Sequence, residues 1–295
     1  MPTAVPLGTR RSPICGERRR ERGSGYVTFR AAVPGESPDG LPYRVPVTST
    51  HRLPSGVGVA LVTLFAENGT VDVKATAEHA RRCVDLGISS VLVAGTTGEA
   101  PRLSVRDRLE LAAAVTEAVP DVPVIVGTGH PDAAASLEAT ARIAVEAHAD
   151  AVLAYCPEEA EPLSFFRAVR EDAGEMPVLA YHNPALAAKT LPTGMLPSLD
   201  VDGVKDSSGS TNRLADLVEL GVRVYVGSPT QLALAGSCGA AGALLAVANV
   251  APTDCIGAWN GDMVAQRRLF ALHRRASADF PSFLKCEVLK CEVPR

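Results

Sequence analysis

The sequence predicts a (β/α)8 TIM barrel with a shortened C-terminal helical extension. Eight short, nearly continuous runs of Val, Leu and Ala lie between residues 56 and 250. This is the pattern of parallel strands buried on both faces. Helical periodicities fall between the runs, and that alternation argues for a barrel. The main rival is a doubly wound open sheet, but no G-x-G-x-x-G follows the first run.

The first run is "GVGVALVTLF" (56–65) and the second "SSVLVAGTT" (89–97). A helix is expected over "SVRDRLELAAAVTEAV" (104–119), where Ser104 and Asp107 make a capping-box-like start. "VPVIVGTG" (122–129) is the third run, and "SLEATARIAVEAHA" (136–149) is the next clear helix. "DAVLAYC" (150–156), "MPVLAYHN" (176–183), "VDGVKDSS" (201–208), "RVYVGSP" (223–229) and "GALLAVANV" (242–250) complete the set. The connections between the last three runs leave room only for short helices.

The barrel therefore occupies about residues 55–251, with a shortened helical segment at 252–295. That segment contains a tandem copy, "LKCEVLKCEV" (284–293), too short for a structural repeat. Residues 1–54 are rich in Arg, Pro, Gly and Ser, show no sustained apolar period, and read as a disordered extension. An Arg-rich targeting leader is the alternative, and Glu17 and Glu21 inside the basic run argue against it.

The net charge of −4 over 295 residues gives no pull toward nucleic acid or an anionic membrane. No apolar run is long enough to span a bilayer. Seven scattered cysteines without a CxxC suit reduced thiols in the cytoplasm.

Barrel chemistry sits at the C-terminal ends of the strands. Three polar clusters end strands there: "GTTGE" (95–99), "AYHNP" (180–184) and "VKDSSG" (204–209). Lys205 would point into an apolar mouth, and desolvation lowers an amine's pKa and makes it a nucleophile. With a carbonyl it forms a Schiff base, which draws electrons from the adjacent carbon so that a C–C bond there can form or break. Tyr181, on the neighbouring strand, can carry protons. The backbone N–H groups around Gly98 and the hydroxyls of Thr96 and Thr97 can bind a carboxylate. Taken singly, each has a plainer reading: a snorkelling lysine, a core tyrosine, a turn. Their convergence on three strand ends favours chemistry. The chain supplies its own amine, so no cofactor is expected.

At these residues the sequence resembles the dihydrodipicolinate synthase / N-acetylneuraminate lyase family of class I, pyruvate-dependent aldolases. The matching segments are "ALVTLF" with "NGTVD", "GTTGEAPRLS", "VIVGTG", "VLAYHNP", "GVKDSSG" and "GALLAVANV". The resemblance implies that Lys205 is the Schiff-base lysine and Tyr181 the proton-transfer tyrosine. It also implies Thr96 on the hydroxyl relay, Thr97 on the keto-acid carboxylate, and Leu244 with its backbone against bound pyruvate. A small-molecule 2-keto acid substrate and a homo-oligomer follow from the same resemblance.

The departures fall on the other half of the site. In the lysine-pathway synthase an arginine follows the Y-N-x-P segment and binds the aldehyde's carboxylate; here Leu186 stands there. Glu158 and Glu159 replace a tyrosine pair after strand four, and His182 replaces an asparagine. This suits a lyase acting on a 2-keto-3-deoxy sugar acid, with 4-hydroxy-tetrahydrodipicolinate synthase as the alternative. A non-catalytic keto-acid-binding barrel is weighed against the intact Lys205 and Tyr181. A metal-dependent hydrolase would draw on His130 and His182, but there is no H-x-H or H-E-x-x-H.

Overall fold

Eight strands close in chain order into a parallel barrel, β1 pairing with both β2 and β8. The computed structural model describes residues 53–186 and 188–290. The strands are β1 (Gly56–Ala60), β2 (Ser90–Val93), β3 (Val124–Gly127), β4 (Ala151–Ala154), β5 (Val178–His182), β6 (Gly203–Asp206), β7 (Val224–Val226) and β8 (Gly242–Leu245). The helices of the outer ring are α1 (Val73–Asp85), α2 (Val105–Ala118), α3 (Ala133–Glu146), α4 (Pro162–Ala173), α5 (Thr211–Glu219), α6 (Leu232–Cys238) and α7 (Pro252–Trp259). Beyond them lie α8 (Met263–Ala278) and α9 (Ser282–Lys290).

The period-2 alternation of the strands divides the core in two. Valines face outward against the helices: Val59, Val91, Val126, Val152, Val178 and Val204 all belong to that layer. Leu92, Ile125, Leu153, Leu179, Tyr181, Tyr225 and Leu244 form the barrel's own interior. The Tyr225 ring fits there because Gly203 and Gly242 flank it. A Cβ on either would stand 3.2 Å from the ring and 2.7 Å from a neighbouring carbonyl. The buried Tyr225 hydroxyl donates to the Pro54 carbonyl at 3.0 Å, and Leu53 packs on the same interior cluster. These two residues, expected in the N-terminal extension, thus pack with the barrel; residues 1–52 lie outside the described residues.

The capping box at α2 is present, with Ser104 and Asp107 exchanging both bonds. The third helix begins three residues before the expected start, because Asp132 accepts from the Ala135 N–H and caps it there. The short helices expected late in the barrel are α5 and α6, of nine and seven residues. Between β5 and β6 the described residues form no α-helix but a 3-10 stretch, Thr193–Ser198. Pro192 precedes it and Pro197 lies within it, and proline removes the donors an α-helix needs. The first copy of the C-terminal tandem lies in α9, where Leu284 and Val288 are buried one turn apart. The five cysteines among the described residues are free thiols. No helix among the described residues is long and apolar enough to cross a membrane.

Candidate active site

Strand parity decides which polar residues meet at the mouth. Tyr181 and Lys205 are register partners on β5 and β6, and both point into the barrel. Lys205 is only 4% exposed, and its Nζ lies 4.5 Å from the centroid of the Tyr181 ring. Burying a lysine is costly, and here the ring face offers partial compensation. Burial pushes the Tyr181 phenol up, but the charge of Lys205 and hydrogen bonds with Thr96, Ser207 and Asn183 outweigh it. The net result holds the phenol below its ordinary value. Asn183 Nδ2 donates to Tyr181 Oη at 2.9 Å. His182 stands in place of the expected asparagine, and an asparagine one position later, Asn183, reaches the phenol instead.

His182 and Asp206, one residue on, point the other way. His182 is buried in the helix layer, where its Nδ1 accepts from the Leu191 N–H at 3.4 Å. Burial and the Arg213 charge hold it below its ordinary value, against the pull of Asp206. Asp206 pairs with Arg213 and accepts from Ser208 through N–H at 3.0 Å and hydroxyl at 2.5 Å. Arg213 also donates to Thr193 Oγ1 at 2.9 Å. This outward network braces the Ser207–Gly209 turn behind Lys205. His130, at the end of β3, accepts from the Asp132 N–H at 3.0 Å, so the two histidines weighed as ligands do not converge. Among the described residues no group of three or more His, Cys, Asp or Glu is arranged to hold a metal ion.

The turn after β2 is held from below and from outside. Ala94 and Glu99 both adopt left-handed backbone, at φ 52° and 57°, which non-glycine residues seldom do. Gly98 sits against β1: a Cβ there would approach Thr63 Oγ1 at 3.0 Å and the Leu61 carbonyl at 3.1 Å. The Thr63 hydroxyl donates to the Gly98 carbonyl at 2.8 Å. Buried Arg108 donates to the carbonyls of Ala100 (3.0 Å) and Gly127 (2.9 Å), tying the turn to β3. Glu99 bonds Arg102 at 2.8 Å and Lys285 of α9 at 2.6 Å, which fastens the C-terminal helices to the mouth.

That last bridge has a pH signature. Burial raises the Glu99 carboxyl, but hydrogen bonds and charge from Lys285 and Arg102 outweigh it and hold it below 4.5. A depressed carboxylate contributes stability that is present above the unfolded value and lost as pH falls through the folded one. Lys285→Met should therefore lower Tm at about pH 7 by roughly 2–4 °C, the effect of about 1 kcal/mol in a domain this size. The difference should close only as acidification protonates Glu99 in the folded protein, below the ordinary carboxylate range. A difference that stays constant through an acid titration of the thermal melts would contradict this account.

Thr96, Thr97, Tyr181, Lys205 and Leu244 line one cavity of about 510 Å3. Gly98 does not reach its wall; it lies behind, where it lets the turn close on β1. Sequence reasoning missed several wall residues. Ser207 and Ser208 follow Lys205, Ser228 and Thr230 follow β7, and His273, Ser277 and Phe280 come from α8 and its end. The serines after Lys205 were visible in "VKDSSG" as a hydroxyl cluster; the α8 residues carried no local signal. Glu158 and Glu159 are exposed and off this wall. Leu186 is half-buried and packs against the barrel's inner cluster. Among the described residues on the wall, Lys205 is the only lysine or arginine.

A buried amine, a phenol beside it and a hydroxyl-bearing turn form a set able to make an imine and move protons around it. The model of the Dihydrodipicolinate synthetase family matches residues 53–261. The chain belongs to that family. Its members are carbon–carbon lyases of the class I aldolase type, and this chain is an enzyme of that type. This chain is 35% identical to 4-hydroxy-tetrahydrodipicolinate synthase of Corynebacterium aurimucosum over 207 residues, 66% of this chain and 68% of that protein. It is 34% identical to the synthase of the same name from Azoarcus sp. over 241 residues, 75% of this chain and 82% of the other. Among solved structures, dihydrodipicolinate synthase from Aquifex aeolicus aligns with TM-score 0.64 and 26% identity, over 75% of this chain and 80% of that one. The E. coli K12 prophage protein YagE, solved in complex with pyruvate, shares the fold at TM-score 0.73 and 22% identity, over 82% and 90% of the two chains.

Proposed function

We propose that this enzyme forms or cleaves a C–C bond next to a pyruvate-type 2-keto acid through an imine on Lys205, and that its substrate is a 2-keto-3-deoxy sugar acid. The observation that carries the reading is the buried Lys205 Nζ, 4.5 Å from the Tyr181 ring, on a wall otherwise supplied with hydroxyls. The amine adds to the C2 carbonyl, and the carbinolamine loses water to give an iminium. In the cleavage direction the C3–C4 electrons flow into the iminium and leave an enamine. The C4 hydroxyl proton passes to Tyr181 Oη as the C4 aldehyde departs. Protonation of C3 and hydrolysis then release pyruvate and the free lysine. In this reading Thr96 relays protons with the Tyr181 hydroxyl, Thr97 and the backbone N–H groups of its turn hold the keto-acid carboxylate, and the Leu244 backbone lies against C2. A homo-oligomer in the cytoplasm belongs to the same proposal.

The second reading is 4-hydroxy-tetrahydrodipicolinate synthase, favoured by the names of the relatives. Its aldehyde partner, aspartate semialdehyde, carries a carboxylate. An arginine would hold such a group bidentately; Leu186 cannot, and among the described residues on the wall Lys205 is the only lysine or arginine. An unpaired buried charge costs several kcal/mol, roughly the scale of strong discrimination. With pyruvate as the first substrate, glyceraldehyde should therefore be used in preference to aspartate semialdehyde. A preference for aspartate semialdehyde by about tenfold or more would transfer the assignment to the synthase.

A further inference from the structure

The residues matched by the family model end at 261, yet the cavity wall does not. His273, Ala276 and Ser277 of α8, with Phe280 just beyond it, complete the mouth beside the turns that follow β7 and β8. The placement of α8 is fixed by a buried amide. Gln266, 2% exposed, accepts from the Ala233 N–H at 2.9 Å and donates to the Pro229 carbonyl at 2.8 Å. Residues seven apart lie on one face of a helix, so the face that grips the β7 turn through Gln266 also carries His273, two turns on. Leu269 and Ala276 are buried on the same side and hold that register.

His273 is half-buried, and its Nδ1 lies 3.5 Å from the Ser277 hydroxyl one turn away. We propose that His273, supported by Ser277, is a specificity-determining residue that binds a hydroxyl of the second substrate, a neutral hydroxy-aldehyde or the corresponding segment of the sugar acid. This rests on the lyase reading given above. Burial holds the imidazole below its ordinary value, which keeps it neutral near neutral pH. A neutral imidazole presents one N–H donor and one acceptor, the complement of a hydroxyl, which also gives one and takes one. It offers no charge to an anionic aldehyde. The β7 turn facing α8 adds Ser228 and Thr230, hydroxyls joined at 2.8 Å, so a polyhydroxylated chain would meet partners on two elements. Phe280 supplies the apolar edge of the same mouth.

The test is a ratio. With pyruvate held constant, kcat/KM is measured for glyceraldehyde and for propionaldehyde, which lacks the hydroxyls, on the wild type and on His273→Leu and His273→Gln. In His273→Leu the preference for glyceraldehyde should fall by about tenfold, the worth of one hydrogen bond, mostly through KM. His273→Gln keeps a donor and an acceptor and should recover part of it. A residue that merely supported α8 would lower both aldehydes together and leave the ratio alone. Ser277→Ala is the second variant, with a smaller fall in the same ratio expected, and it serves should His273→Leu not fold. Unchanged ratios in the folded variants would overturn the proposal. Failure of the underlying reading looks different: wild-type enzyme, incubated with pyruvate and borohydride, would then acquire no adduct at Lys205.

Discussion

Pyruvate and borohydride added together should place one reduced adduct on the protein, and peptide mass spectrometry should find it on Lys205. The expectation rests on burial and placement. Lys205 is 4% exposed, stands at the C-terminal end of β6, and is the only lysine or arginine among the described residues on the cavity wall. Lys74, by contrast, stands in open solvent and away from this cavity, so it has no site to bind the keto acid beside it. Lys205→Ala should take no adduct and should lose turnover to the background rate, because no neighbouring amine can substitute. The outward-facing Asp206–Arg213 pair does not depend on the lysine's side chain, so this variant should fold. An unmodified Lys205 peptide from folded wild-type protein, or full turnover in Lys205→Ala, would end the imine reading.

What was legible in the sequence is what period-2 alternation encodes. The valine-rich runs gave eight strands, and parity then sent Tyr181 and Lys205 inward and His182 and Asp206 outward. His182 was read as a mouth residue because its neighbours were. Applying parity to "VLAYH" would have placed it in the helix layer. The β5–β6 connection was expected to be helical like the others, although "LPTGMLPS" carries two prolines that forbid it. Loop directions were not legible. Glu158 and Glu159 were candidates for the mouth and are exposed, since no periodicity fixes where a turn aims its side chains. The contribution of α8 was hidden for a different reason. His273 sits seven residues after Gln266 on an ordinary amphipathic helix, and only the docking of that helix brings it to the cavity.

Tyr181→Phe should lower turnover by about 10²- to 10⁴-fold, the range for a positioned acid–base group. The substitution removes one oxygen and leaves the ring, so the contact with Lys205 and the barrel packing persist. Keto-acid binding should change less than turnover, because Thr97, the proposed carboxylate partner, lies on the β2 turn, whose backbone Thr63 and Arg108 hold without the phenol. The adduct on Lys205 should still form, only more slowly, since carbinolamine collapse loses its proton carrier. The phenol is suited to this work by its surroundings. The lysine charge and the hydrogen bonds with Thr96, Ser207 and Asn183 favour its ionised form over the cost of burial. Asn183→Ala removes the 2.9 Å bond to Tyr181 Oη while keeping the phenol, and should lower turnover by less than Tyr181→Phe does. Were Asn183 merely part of the turn, its loss would affect stability and leave the pH–rate profile in place. If it tunes the phenol, the limb of the profile set by Tyr181 should move to higher pH, because one bond favouring the ionised form is gone. Wild-type turnover in Tyr181→Phe would remove the phenol from the mechanism and leave proton transfer to Thr96 or to water.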